Sequence, residues 1–220
     1  MEKSKFQFNK KQQGNGIALL QFLGNESIRA VFFDPQYRGI LDKMQYGNEG
    51  KTRGKARHCL PQMSEEIIKA FLQEIDRVLM KNGYLFLWID KFHLVEGIHS
   101  WLQGIQDLAP VDMIVWNKMK IGMGYRTRRK SEYLVVLQKA PRTAKNSWSL
   151  HNIPDVWDEK VSGKNHTHTK PVNLQAALIR SVCQSRQDLI CDPASGSYSV
   201  LAACQAAGVN FIGCDLVYGE

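Results

Sequence analysis

Asp188-Leu189-Ile190-Cys191-Asp192-Pro193-Ala194-Ser195-Gly196-Ser197-Tyr198-Ser199 is the stretch whose reading decides the fold. Its apolar first part has the length and composition of a buried strand, and Asp192-Pro193 ends it. A turn of small residues follows. An alanine-rich helix is predicted from about Ser197 to Ala207, with Gly208 placed as its C-terminal stop. A second strand, Val209-Asn210-Phe211-Ile212-Gly213, then leads to Asp215. Strand, loop, helix and strand in this order make a βαβ unit, so an α/β fold is expected. The unit suits a nucleoside cofactor. Small residues let the backbone approach a ligand, and an acid at the end of the second strand can accept hydrogen bonds from ribose hydroxyls. Ordinary βαβ units share the layout, so the choice rests on residues elsewhere.

Two such places stand upstream. The short apolar run Ala30-Val31-Phe32-Phe33 reads as a strand and delivers Asp34-Pro35-Gln36-Tyr37 at its carboxyl end. In α/β sheets that end is where ligands bind. Alone, the four residues fit a strand-terminating turn with a core tyrosine equally well. Lys170-Pro171 opens a predicted helix in which Leu174, Ala177, Leu178 and Val182 recur at helical spacing. Proline fits the first helical turn, where its missing N–H costs nothing.

Read in order, these three motifs resemble the permuted β-type group of S-adenosylmethionine-dependent DNA amino-methyltransferases. Their catalytic signature is Asp-Pro-Pro-Tyr, and their catalytic half precedes the cofactor half. The stretch His166-Thr167-His168-Thr169-Lys170-Pro171 is similar to the group's His-Pro-Thr-x-Lys-Pro, and the resemblance runs from about Gly16 to Asp215. It implies a catalytic set of Asp34, Pro35, Gln36 and Tyr37. It also implies an S-adenosylmethionine site formed by Lys170, Pro171, Asp192, Pro193, Ala194, Ser195, Gly196, Ser197 and Asp215. Asp34 and the Pro35 carbonyl would accept hydrogen bonds from the target amino group, and Tyr37 would stack on a base extruded from the duplex. Neither a metal nor a covalent nucleophile is needed. Three residues depart from the group's pattern: Gln36 stands for its second proline, Ala194 for a Phe and Tyr198 for a Gly. Tyr198 would fall in the first turn of the helix, where its side chain could point away from the cofactor. Asp34 favours adenine N6 over cytosine N4. Cytosine N4, and a catalytically silent nucleic-acid-binding relative, remain alternatives.

The charge distribution bears on the partner. The net charge of +8 is concentrated in two segments. Lys118 to Lys145 carries nine basic residues against the single acid Glu132, and Arg38 to Arg57 carries six against Asp42 and Glu49. Basic segments beside a catalytic turn suggest a polyanion, although a solvated basic loop has the same composition. With the resemblance, the partner is double-stranded DNA. The contacting residues are expected to be Arg38, Lys43, Lys51, Arg53, Lys55, Arg57, Lys118, Lys120, Arg126, Arg128, Arg129 and Lys130.

The remaining features set bounds. At 220 residues with 44% apolar content, one methyltransferase domain spanning 1–220 is expected. No apolar run reaches the length of a membrane span, and Met1-Glu2-Lys3-Ser4-Lys5 lacks the apolar core of a signal peptide. Five cysteines without a Cys-x-x-Cys pair fit reduced thiols in a cytoplasmic protein, with no zinc site. The oligomeric state is open between monomer and homodimer. The expected architecture is a three-layer α/β sandwich, Rossmann-like, with a mostly parallel sheet and one antiparallel strand. That strand belongs to the pair Asp112–Trp116 and Glu132–Gln138. Helices are expected at Gly16–Leu23, from Ser64 through Leu79, and at Leu94–Ile105. The segment 141–169 reads as irregular, with Trp148 and Trp157, and leaves room only for a short target-reading insert. Low or very short sequence specificity is therefore expected.

Overall fold

A computed structural model describes residues 6–36, 63–122, 126–160 and 169–219. Tyr37, Cys59, His166, His168 and all six basic residues predicted between Arg38 and Arg57 lie outside them. In chain order the elements are α1 (Gly16–Phe22), β1 (Ile28–Phe33), α2 (Glu65–Val78), β2 (Leu79–Ile89), α3 (Lys91–Glu96), α4 (His99–Leu102) and β3 (Leu108–Asn117). They continue with β4 (Ser131–Lys139), β5 (Val156–Asp158), α5 (Val172–Val182), β6 (Leu189–Asp192), α6 (Ser199–Ala207) and β7 (Asn210–Gly213).

The strands form one seven-stranded sheet in the order β5-β3-β4-β2-β1-β6-β7. Only β4 runs against its neighbours, pairing antiparallel with β2 and β3; the other pairings are parallel. Strand β6 lies beside β1, with Ala30 opposite Ile190 and Val31 opposite Cys191. Both motifs therefore open onto one edge of the sheet.

Alternation along the central strands explains the three layers. Val31, Phe33, Leu85 and Leu87 face one side, against Leu19 and Leu20 of α1 and Ile68, Leu72 and Ile75 of α2. Ala30, Phe32, Tyr84, Phe86 and Trp88 face the other, against Leu174, Leu178 and Ile179 of α5 and Val200, Leu201 and Ala203 of α6. Covered on both faces, β1 is apolar at every position but Arg29, which pairs with Asp188 at 3.5 Å, and so it reads as a continuous run rather than an alternating one.

Local signals set most helix ends. Ser64 caps α2 by accepting from Ile67 N–H, and Asn15 caps α1 by accepting from Ala18 N–H. Gly208, at φ 71°, ends α6 as predicted. Three expectations change. The helix expected over Leu94–Ile105 is two short ones, α3 and α4, interrupted at Gly97, whose φ is 86°. The helix expected from Ser197 begins at Ser199, because Tyr198 takes a left-handed conformation, φ 59°, immediately before it. The segment 141–169 contains an edge strand, β5, parallel to β3.

Candidate active site

Asp34 leaves the end of β1, with Pro35 buried and Gln36 exposed after it. The Gln36 carbonyl accepts from Met63 N–H at 2.7 Å, so residue 63 is joined directly to the turn after β1. Lys170 Nζ lies 2.9 Å from Asp34 Oδ2 and 3.0 Å from Glu132 Oε2. Glu132 Oε1 in turn accepts from Lys118 Nζ at 2.8 Å. Two lysines and two acids therefore alternate from the end of β3, through the start of β4, to the end of β1. The antiparallel strand makes this possible: β4 begins at the edge where its parallel neighbours end. Trp88 forms the floor, with the Lys170 ammonium 5.0 Å from its ring centroid. Trp116 packs edge-on to Trp88 at 6.0 Å.

The electrostatics follow from the pairing. Burial pushes the Glu132 carboxyl up, but Lys170 and Lys118 overcome it and hold the group at about 2. Burial pushes the Lys170 ammonium down, and Asp34 and Glu132 more than reverse this, so it stays charged. Lys170, expected among the cofactor residues, places its ammonium between the Asp34 and Glu132 carboxylates and so links the end of β1 to the start of β4.

The loop after β6 is held from behind. Asp192 Oδ1 accepts from Ala194 N–H at 3.1 Å, and the Asp192 carbonyl accepts from Ser195 Oγ at 2.8 Å. Asp215 Oδ2 accepts from Gly196 N–H at 3.0 Å, and its Oδ1 from Val217 and Tyr218 N–H. The carboxylate expected to meet a ribose therefore also shapes the loop. Gly196 has φ 47°, and a Cβ added there would meet nothing within 4 Å. Burial, with the charges of Asp34 and Asp215, pushes the Asp192 carboxyl up to about 8. Asp192 and Asp215 thus flank a glycine turn that faces open space. That environment fits S-adenosylmethionine, whose sulfonium and ammonium are both positive.

Several further residues shape the site from behind. The Tyr198 hydroxyl lies 2.7 Å from the Gln12 carbonyl and 3.0 Å from the Tyr218 carbonyl, and it accepts from Gln12 N–H at 3.1 Å. Its side chain points away from the cofactor loop's open side and ties both chain ends behind it. Gly16 sits against Pro193, where a Cβ would lie 2.1 Å from the carbonyl oxygen. Glu159, just past β5, accepts from Asn173 and Leu174 N–H at 3.0 Å each and so caps α5, whose own first residues supply no side-chain cap. Trp148 packs edge-on to Tyr84 at 5.5 Å, and Trp157 donates to Glu159 at 2.8 Å, so both tryptophans anchor the 141–160 stretch.

Among the described basic residues, Lys120, Arg126, Arg128 and Lys130 are exposed, Arg129 is half-buried, and Lys118 is turned toward Glu132. A cavity of about 510 Å³ lined by Arg29, Lys81, Lys145 and Ser147 lies at the opposite edge of the sheet and takes no part in this site. The described cysteines are Cys183, Cys191, Cys204 and Cys214, and burial pushes all four thiols up. Among the described residues no group of three or more His, Cys, Asp or Glu could hold a metal ion, and no helix is long and apolar enough to cross a membrane.

Comparison with known proteins agrees with this arrangement. Residues 28–217 match the family model for the N6/N4 DNA methylases. The chain is 59% identical over 212 residues to the Type II methyltransferase M.HhaII of Haemophilus parahaemolyticus, covering 96% of this chain and 92% of that protein. Among solved structures it resembles the PvuII cytosine-N4-specific DNA methyltransferase, with a TM-score of 0.65 at 13% identity, covering 94% of this chain and 81% of the other. It also resembles TTHA0409 of Thermus thermophilus, a putative DNA modification methylase complexed with S-adenosylmethionine, with a TM-score of 0.60 at 17% identity, covering 94% and 88%. The chain belongs to the N6/N4 family of DNA amino-methyltransferases. Its methyl donor is S-adenosylmethionine, and its substrate is DNA.

Proposed function

We propose that the chain is a single-domain adenine-N6 methyltransferase acting on a base flipped out of double-stranded DNA. The observation that carries the reading is the Asp34 carboxylate, held at 2.9 Å by Lys170 at the end of a strand that borders the cofactor strand. An adenine amino group is a weak nucleophile because its lone pair is delocalised into the ring. The cofactor's sulfonium supplies an already activated methyl, so the protein's task is positioning. Asp34 and the Pro35 carbonyl accept the two amino hydrogens and turn the nitrogen lone pair out of the ring plane. Lys170 keeps the carboxylate in place, and Asp192 and Asp215 line the cofactor side. Tyr37 is assigned to stack on the base, and the cations of the β3–β4 hairpin to hold phosphates.

The similarity to a Type II methyltransferase supports a cytoplasmic role in restriction–modification. For specificity we infer a short context, because residues 141–160 are anchored by Trp148 and Trp157 and include no helix to enter a groove. A second reading, a defined site of several bases, is favoured by the Type II relative. Incubation with labelled S-adenosylmethionine and a long unmodified DNA, followed by nucleoside digestion and mapping, tests all of this. N6-methyladenine with one or two fixed flanking bases is expected. N4-methylcytosine would overturn the base assignment, four or more fixed bases the short context, and no labelled base the function.

A further inference from the structure

The hairpin joining β3 to β4 projects from the catalytic edge. Its legs stay paired beyond the sheet: Lys118 N–H donates to Lys130 O at 2.8 Å, and Gly122 N–H to Arg129 O at 2.6 Å. Arg128 Nε donates to Gly122 O at 3.0 Å, closing the legs further. The root of the hairpin belongs to the site itself, because Lys118 is the outer member of the chain of ion pairs that ends at Asp34.

On this projection two apolar side chains face solvent, Met119 at 50% and Ile121 at 62% exposure. They alternate with cations along Lys118-Met119-Lys120-Ile121, and Arg126, Arg128, Arg129 and Lys130 stand on the returning leg. A single exposed apolar residue is ordinary on any surface. Two of them interleaved with lysines beside a catalytic carboxylate have a composition that suits a duplex. The cations meet phosphates, and the apolar groups meet base faces. Met119 is held at the root of the hairpin, where its Sδ accepts from Asn117 Nδ2 at 3.3 Å. Its backbone is left-handed, φ 54°, a conformation that costs a side-chain-bearing residue energy. Asn117 stabilises the turn by accepting from Met119 N–H at 3.2 Å while donating to Asp158 of β5 at 2.7 Å.

We propose that Met119 and Ile121 form an apolar wedge that enters the DNA stack beside the target base and fills the space it vacates. The proposal rests on reading the site as one that methylates a flipped base. Extruding a base costs unpairing and unstacking. An apolar side chain inserted into the vacated space restores part of the apolar contact given up there.

The test uses the full chain and a duplex carrying 2-aminopurine at the mapped target position. Wild-type protein raises the fluorescence. The Met119→Ala/Ile121→Ala double variant raises it less than about half as far and methylates a fully paired duplex about tenfold more slowly. On a duplex whose target base faces an abasic site, already unpaired, its rate returns to within about threefold of wild type. The Met119→Leu/Ile121→Leu variant, which keeps apolar bulk, behaves as wild type on both duplexes. Equal loss on paired and pre-opened duplexes, an unchanged fluorescence rise with Ala, or failure of the Leu variant to restore the rate would overturn the wedge. Wild-type protein that methylates no duplex overturns the functional reading itself, a result distinct from any of these.

Discussion

Glu132→Gln removes the charge that links Lys118 to Lys170 while keeping the shape of the side chain. Glu132 accepts from both lysines, at 2.8 and 3.0 Å, with its side chain 28% exposed. The pair of lysines lowers its carboxyl from the ordinary 4.5 to about 2. That difference corresponds to about 3 kcal/mol favouring the folded state at neutral pH. The folded value lies below the unfolded one, so the stabilisation is present above about 4.5 and is lost as pH falls through about 2. Glutamine resembles the protonated acid. The variant should therefore lose about 3 kcal/mol at pH 7, and the gap to wild type should shrink to roughly half of that by pH 3. For a chain of this length the loss lowers Tm by about 6–12 °C. Urea unfolding of both proteins at pH 7, 5 and 3.5 measures it. A gap below about 1 kcal/mol at pH 7, or one that does not narrow on acidification, would refute the reasoning, because ionisation of Glu132 would then contribute little to the fold.

The other expectations are simpler. Asp34→Ala should abolish methyl transfer while leaving circular dichroism and cofactor binding near wild type; near-normal activity would show the catalytic edge to be misassigned. Replacing Arg126, Arg128 and Arg129 by Gln should lower the slope of log DNA affinity against log salt by about 1 for each phosphate that is no longer neutralised, with cofactor affinity unchanged; an unaltered slope would make these arginines a solvated surface. Cofactor affinity, followed by calorimetry, should rise with pH up to about 8 and then level off, as Asp192 ionises, with protons released on binding below that pH; a flat profile from pH 6 to 9 would contradict it. Tyr198→Phe, which removes the hydroxyl contacts with Gln12 and Tyr218, should cost about 1–2 kcal/mol in chemical unfolding.

What was legible in the sequence was whatever has a local cause. Apolar runs marked residues 30–33 of β1, 84–89 of β2 and 189–191 of β6, because the parts of a strand covered on both faces are mostly apolar. Ser64 and Gly208 marked helix ends through their own hydrogen bonding and backbone geometry. Strand β5 was not legible: Val156–Asp158 has one half-buried position between two exposed ones, and pairing with Val115–Asn117 alone makes it a strand. The interruption at Gly97 was hidden by apolar residues on both sides of it. The Lys170–Glu132 contact joins residues 38 apart, with no pattern near either. Its one trace was compositional, since Glu132 is the only acid among the nine basic residues from Lys118 to Lys145.

Tyr198 shows how a departure from a motif can preserve the motif's shape. It stands where related loops carry glycine, and it adopts the conformation that glycine enters freely, φ 59° and ψ 34°. For a residue with a Cβ that backbone costs roughly 1–2 kcal/mol. The cost is offset locally. The ring is 4% exposed and packs edge-on to Phe211 at 6.4 Å, and its buried area alone is worth about as much as the strain. The hydroxyl then ties Gln12 and Tyr218 behind the loop, with Gln12 also donating to the Gly213 carbonyl at 2.9 Å. A glycine would leave the loop's path to its neighbours; the tyrosine sets that path through contacts on the side away from the open pocket. The loop between Asp192 and Ser197 can therefore keep the backbone form that a glycine at its end would allow, although the residue that follows it is among the largest available.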